Sequence, residues 1–232
     1  MQKAMVFIDY KNFNISLNSY YRDTLNGLSP SINYCKLSQE LVNKVIIEAD
    51  LIKTLLFAPK PCTQLLNINK YRTYYAWLNG LKNKPYFGVI EGTEEIRPVN
   101  NEVVINLTDT TTYKTEEKGT DINIAVHMIS KAFLNSYDIG ILVSGDSDYI
   151  PVVKTLHQLG KTVVLATLPN QNISKYDSLC DQKILLTNTF LQSCLNNNQK
   201  KQFVAKQESH KSIIANIESN IKSTTEKIGA EN

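Results

Sequence analysis

Apolar residues come in short, nearly unbroken runs at positions 5–8, 51–58, 139–143, 162–166 and 183–186. Runs of this length suit strands buried on both faces. Between them the period changes. Segments 37–49, 64–82, 122–134 and 147–159 repeat apolar residues every three or four positions, as an amphipathic helix does. Ser38 is the candidate cap of the first, and Gly160 closes the last. Strand and helix thus alternate, which predicts an α/β fold: a doubly wound, mainly parallel sheet with helices on both faces. Segment 86–118 breaks the rhythm. Its β-prone stretches 86–90 and 102–107 precede the Thr-rich 108–115, read as a strand or hairpin followed by a mobile loop.

Past Leu195 the chain turns polar at 196–201, and then Ile214, Ile217, Ile221 and Ile228 share one helical stripe. The expected organisation is a domain over 1–195, then a linker and a short amphipathic helix over 196–232. That helix either docks on its own domain or makes a homo-oligomer. A length of 232 residues with 42% hydrophobic and 20% charged residues is ordinary for one globular domain and excludes collagen-like and wholly disordered classes. No stretch reaches the roughly 18 to 20 apolar residues of a spanning helix, and the N-terminus carries no apolar leader, so no membrane association is expected and the location is cytoplasmic by default. The four cysteines lack a C-x-x-C pair or a nearby His and are read as reduced thiols.

The net charge of +3 does not by itself indicate a nucleic-acid binder. Its distribution is more informative. Segment 53–84 holds six basic residues, among them Lys70 and Arg72, and no Asp or Glu, interleaved with Phe57, Tyr71, Tyr74, Tyr75 and Trp77. Phosphates attract Lys and Arg, and unstacked bases lie on aromatic faces. Ile68, Tyr71, Tyr75 and Leu78 also recur at helical spacing, which assigns at least half of these aromatics to the core.

In an open parallel sheet, ligands sit beyond the carboxyl ends of the strands. Asp9 ends the first run with Asn12 one turn later, and Asp146 and Asp148 follow the run 139–143 through Ser144 and Gly145. Lys118-Gly119-Thr120-Asp121 places Asp121 at the start of a helix that can reach the same crevice. Converging carboxylates repel one another unless a cation lies between them. Mg²⁺ or Mn²⁺, which favour carboxylate oxygens and water, suit that role and can activate water against a phosphodiester.

The runs Val6-Phe7-Ile8-Asp9 with Asn12, Lys118-Gly119-Thr120-Asp121 and Val143-Ser144-Gly145-Asp146-Ser147-Asp148-Tyr149 with Pro151 resemble the NYN domain, within the LabA-like group formerly called DUF88. Segments 160–164 and 179–181 fit its fifth strand and following helix, so the resemblance spans about 3–190. It implies a Rossmann-like PIN fold with a five-stranded sheet ordered 3-2-1-4-5, and a metal-dependent ribonuclease site. By the same resemblance Asp9, Asp121, Asp146 and Asp148 are the catalytic, metal-binding set. Asn12, Lys118, Ser144 and Ser147 are the substrate contacts, with Gly145 allowing close backbone approach. Tyr10 stands where the family usually has Gly, and either narrows the crevice or stacks on a base. His127 stands near a place where the family often has an acid, but lies about 240° around the helix from Asp121. His157 and His210 carry no partner signal.

The leading expectation is a Mg²⁺- or Mn²⁺-dependent endoribonuclease acting on single-stranded or looped RNA guided by 53–84. The alternative is a noncatalytic RNA-binding or regulatory module with the same fold. A haloacid-dehalogenase type of phosphotransferase fits poorly, since Ile150 stands where that motif has Thr or Val. Neither G-x-G-x-x-G nor a P-loop is present.

Overall fold

The computed structural model describes residues 1–101 and 103–230, without the side chains of residues 215, 216 and 218–230. Strand β1 (Gln2–Asp9) runs up the middle of the sheet, with β2 (Ala49–Pro61) on one side and β5 (Ile139–Val143) on the other, both parallel to it. Strand β3 (Phe87–Pro98) lies parallel outside β2, and β6 (Thr162–Thr167) and β7 (Gln182–Leu185) lie parallel outside β5. Among the described residues the sheet is completed by β4 (Tyr113–Lys118), its one antiparallel strand, giving the order β4-β3-β2-β1-β5-β6-β7. Seven strands therefore replace the five expected. The expected 3-2-1-4-5 order survives as the five central strands, and β4 and β7 extend its two edges.

The alternation within β1 builds two cores. Ala4, Val6 and Ile8 pack with Phe13 and Leu17 of α1 (Tyr10–Ser19), Leu37 and Leu41 of α2 (Tyr34–Asn43) and Leu78 and Leu81 of α3 (Asn69–Lys82). Met5 and Phe7 face the opposite side, against Ile124 and Met128 of α4 (Thr120–Phe133) and Val152, Val153 and Leu156 of α5 (Ile150–Gln158). A strand apolar at every position is what covering both faces demands.

Local chemistry moved several boundaries. Helix α2 starts at Tyr34 because the Asn33 side chain accepts from the Lys36 N–H at 3.1 Å. Ser38 is instead a buried helical residue whose hydroxyl donates to the Tyr34 carbonyl. The fourth strand lies at 113–118 rather than within 102–107. Tyr113 is buried, and Arg97 of β3 pairs with Glu116 at 3.1 Å, while Val104 and Ile105 are exposed. Residue 102 lies outside the described residues.

After α6 (Asn188–Ser193) the chain continues as α7 (Asn197–Ala230), whose start is capped by Asn196 accepting from the Gln199 N–H at 2.8 Å. Phe203 meets Tyr21 edge-on, and Gln207 accepts from the Leu28 N–H, so the first turns of α7 rest on the domain. Ile214 and Ile217 are exposed, and the side chains of Ile221 and Ile228 lie outside the described residues. No helix among the described residues is long and apolar enough to cross a membrane.

Candidate active site

The chain turns from β1 to β2 on one side and later enters β5 on the other, so the strand order reverses at β1. The crevice beyond the β1 and β5 carboxyl ends is where such sheets bind ligands. Asp9 closes β1 there. It is 4% exposed, and its Oδ1 caps α1 by accepting from the Asn12 N–H at 3.2 Å. Its Oδ2 accepts from the Ser144 hydroxyl at 3.1 Å. The Ser144 oxygen in turn accepts from the Asp146 N–H at 3.2 Å, so one buried hydroxyl joins the ends of β1 and β5.

The Tyr149 hydroxyl lies 3.1 Å from Asp9 Oδ2 and 2.9 Å from Asp121 Oδ1. A phenol owns one proton and donates to one carboxylate at a time. A proton on Asp9 satisfies the second contact, and burial, helped by the nearby Asp121, raises the Asp9 pKa from 3.8 to about 6. The same burial and the two carboxylates hold the Tyr149 phenol far above its usual range. Asp121 reaches this point from the first turn of α4, which begins after Gly119 at φ +83°, a left-handed conformation that suits glycine. Buried Asp9 and exposed Asp121 thus converge on a single oxygen.

Asp146 and Asp148 sit one step outward. Asp146 caps the short turn Ser147–Tyr149 by accepting from the Asp148 N–H at 3.0 Å, and its carbonyl accepts from the Tyr176 hydroxyl. Asp148 is exposed. Asn12, Gly145, Asp146, Ser147, Asn172, Ser174 and Lys175 line a cleft of about 380 Å³. Asn12 Oδ1 accepts from the Gly145 N–H at 3.1 Å and from Gln171 Nε2 at 2.8 Å, and Gln171 Nε2 also contacts Ser16 at 3.0 Å.

The remaining predicted residues scatter around this centre. Lys118 is exposed and pairs with Glu95 at 3.5 Å. Tyr10 does not enter the carboxylate cluster but packs on Tyr34, Tyr74 and Trp77. Lys70 and Arg72 are exposed on α3. His127 packs edge-on against Phe57, and burial, with Lys131 nearby, lowers its pKa. His157, for which the sequence signals no partner, lies 3.0 Å from Asp181.

Tyr149, Gln171, Tyr176 and Lys175 were not singled out by sequence reasoning. Tyr149 belongs to the quoted 143–149 run, and its place directly after Asp148 was the available signal. Nothing local marks the other three.

The NYN domain family profile matches residues 3–187. The chain belongs to the NYN domain family. Among solved structures, a protein of unknown function from Vibrio parahaemolyticus RIMD 2210633 is similar over 82% of this NYN chain and 96% of its own, at 18% identity and a TM-score of 0.50. That likeness is one of fold. No curated protein matches the chain.

Among the described residues, no three His, Cys, Asp or Glu side chains are gathered tightly enough to make a ready-made metal cage. Two carboxylates do converge. Mg²⁺ commonly uses one or two carboxylates and completes its shell with water and substrate phosphate, so this all-oxygen donor set fits a hard divalent ion. The high proton affinity of Asp9 has the same origin: a buried carboxylate beside a second one needs a proton or a cation.

Proposed function

We propose that this NYN-domain protein, of the LabA-like (DUF88) group, is a divalent-metal-dependent ribonuclease that cuts single-stranded or looped RNA internally. The observation that carries the reading is the meeting of Asp9 and Asp121 around the Tyr149 hydroxyl, at the crevice where the strand order reverses. Asp9 and Asp121 would hold Mg²⁺ or Mn²⁺, with Asp146 and Asp148 completing the acidic set around it. The bound ion supplies an activated water and neutralises charge on the phosphodiester.

The chain's own groups do the rest. Asp9 Oδ2 and Tyr149 keep a proton between them at the buried end of the crevice. Asn12, its oxygen fixed by Gly145 and Gln171, turns its amide N–H groups to a substrate phosphate. Ser147 and Lys175 on the same cleft contact the neighbouring phosphate, and Lys118, exposed beside Glu95, adds a further phosphate contact. Ser144 and Tyr176 hold Asp9 and Asp146 in place.

One observation favours the noncatalytic RNA-binding reading: the Tyr149 hydroxyl already occupies the point between the two converging carboxylates. Labelled single-stranded RNA incubated with Mg²⁺, Mn²⁺ or EDTA, alongside Asp146→Asn, separates the two. A nuclease shows metal-dependent cleavage that the variant loses while RNA binding persists. A binding module shows binding by both proteins and no turnover to lose.

A further inference from the structure

Tyr10, Tyr34, Tyr74 and Trp77 come from three helices and meet beside the acidic crevice. The Tyr10 ring lies 5.3 Å from Trp77, 5.6 Å from Tyr74 and 6.0 Å from Tyr34. With Asn14, Ser31 and Thr73 these rings line a cleft of about 380 Å³. Tyr34 is buried and forms the floor, whereas Tyr10, Tyr74 and Trp77 are half-buried. Burying these rings fully would have made them ordinary core; instead they border open space with polar groups at its edge.

A second cleft, of about 350 Å³, shares Tyr10, Asn14 and Tyr74 and continues to Lys11, Lys70 and Tyr71. Lys70 lies over the Tyr71 ring at 5.5 Å, and Arg72 contacts Asn69, and neither forms an ion pair with another described residue. Lys11 is paired with Glu117, and Glu94 on the same wall is only 8% exposed, which leaves Lys70 as the exposed charge lining this second cleft without an ion pair among the described residues. On the other side of the first turn of α1, Asn12 lines the acidic cleft. Tyr10 follows Asp9 directly in the chain.

We propose that the aromatic cleft is a stacking subsite for an unpaired nucleobase of a single-stranded nucleic acid. The backbone of that strand runs over Lys70 and Arg72 on one side and toward Asp9 on the other. The inference rests on the nuclease reading above and deepens it, because it places the strand relative to the carboxylates. Every base has a flat π-face, so such a subsite tolerates any sequence, while Asn14, Ser31 and Thr73 offer hydrogen bonds to a base edge. A duplex, whose bases are stacked on each other, cannot use it.

Trp77 is the chain's one tryptophan, so its emission reads this cleft alone. The full-length protein in EDTA, where no turnover is expected, is titrated with end-labelled oligoadenylate while anisotropy and Trp77 emission are recorded. The titration is repeated with an abasic strand of equal length, which keeps the phosphates and removes the bases without touching the protein. The expected result is quenching with the same midpoint as the anisotropy change, and roughly tenfold weaker binding of the abasic strand without quenching. Tyr74→Leu is expected to weaken oligoadenylate binding by a similar factor and leave abasic binding unchanged.

Equal affinity for the two strands with unchanged Trp77 emission would overturn the subsite and leave the nucleic-acid reading standing. No binding of either strand would overturn both. Quenching by an oligoproline peptide but not by oligoadenylate would also overturn it, by assigning the cleft to protein recognition.

Discussion

Replacing Asp9 by Asn is expected to stabilise the protein at pH 8 while abolishing its activity. Asp9 is 4% exposed, and burial pushes its pKa up from the usual 3.8 to about 6. The folded state therefore binds this proton more tightly than the unfolded state, and stability falls as pH rises from about 4 to about 6. Above that window the folded protein bears the full cost of a buried charge. Two pKa units correspond to about 3 kcal/mol. Asn is isosteric and keeps an acceptor for the Asn12 N–H, and the Ser144 and Tyr149 hydroxyls can turn to accept from its amide. Thermal unfolding in EDTA across pH 4 to 8 checks the argument. The variant should unfold several degrees higher than the wild type at pH 8, since 1 kcal/mol is worth about 2–4 °C in a domain of this size. The gap should close toward pH 4. A variant less stable than the wild type at pH 8, or a gap independent of pH, would show that the buried Asp9 charge is no cost to the fold.

Tyr149→Phe removes the donor shared by Asp9 and Asp121, and should cost about 1–3 kcal/mol at pH 8 in EDTA, with Mg²⁺ raising the unfolding midpoint more than it does in the wild type. Identical midpoints and identical Mg²⁺ responses would count against the bridge. In Gly145→Ala the new Cβ would lie 2.5 Å from Gln171 Nε2, a flexible side chain that can retreat from Asn12. Stability should change by less than about 1 kcal/mol while cleavage slows about tenfold or more, as loss of substrate positioning does. Lys70→Ala and Arg72→Ala should each weaken RNA binding across all sequences and reduce the salt dependence by about one phosphate contact, measured as the slope of log affinity against log salt.

The parallel centre of the sheet was legible because strands covered on both faces must be apolar throughout, as Ala4–Ile8 and Ile139–Val143 are. The edges were less so. Strand β4 reads Tyr-Lys-Thr-Glu-Glu-Lys and is held by cross-strand ion pairs and the buried Tyr113, features that a search for apolar runs passes over. Helix α1 escaped notice because it buries only Phe13 and Leu17. At the candidate site Asp9, Asp121 and Asp146 could be placed, since strand ends and helix starts carry local signals. The Tyr149 bridge and the clamp of Gln171 on Asn12 depend on contacts between residues far apart in the chain, and no spacing rule reports those. The aromatic stretch on α3 was divided between core and surface, and its half-buried rings show why: Leu78 and Leu81 take the core positions while Tyr74 and Trp77 line the open cleft.

Asp9 and Asp121 are expected to act on RNA as one unit. The decisive experiment is cleavage of single-stranded RNA over a Mn²⁺ titration by the wild type, Asp9→Asn, Asp121→Asn and the double variant. Groups that serve one step are strongly non-additive, so each single variant should lose at least about a hundredfold in rate and the double variant little more. Cleavage that survives in EDTA, or single losses that multiply in the double variant, would contradict the account.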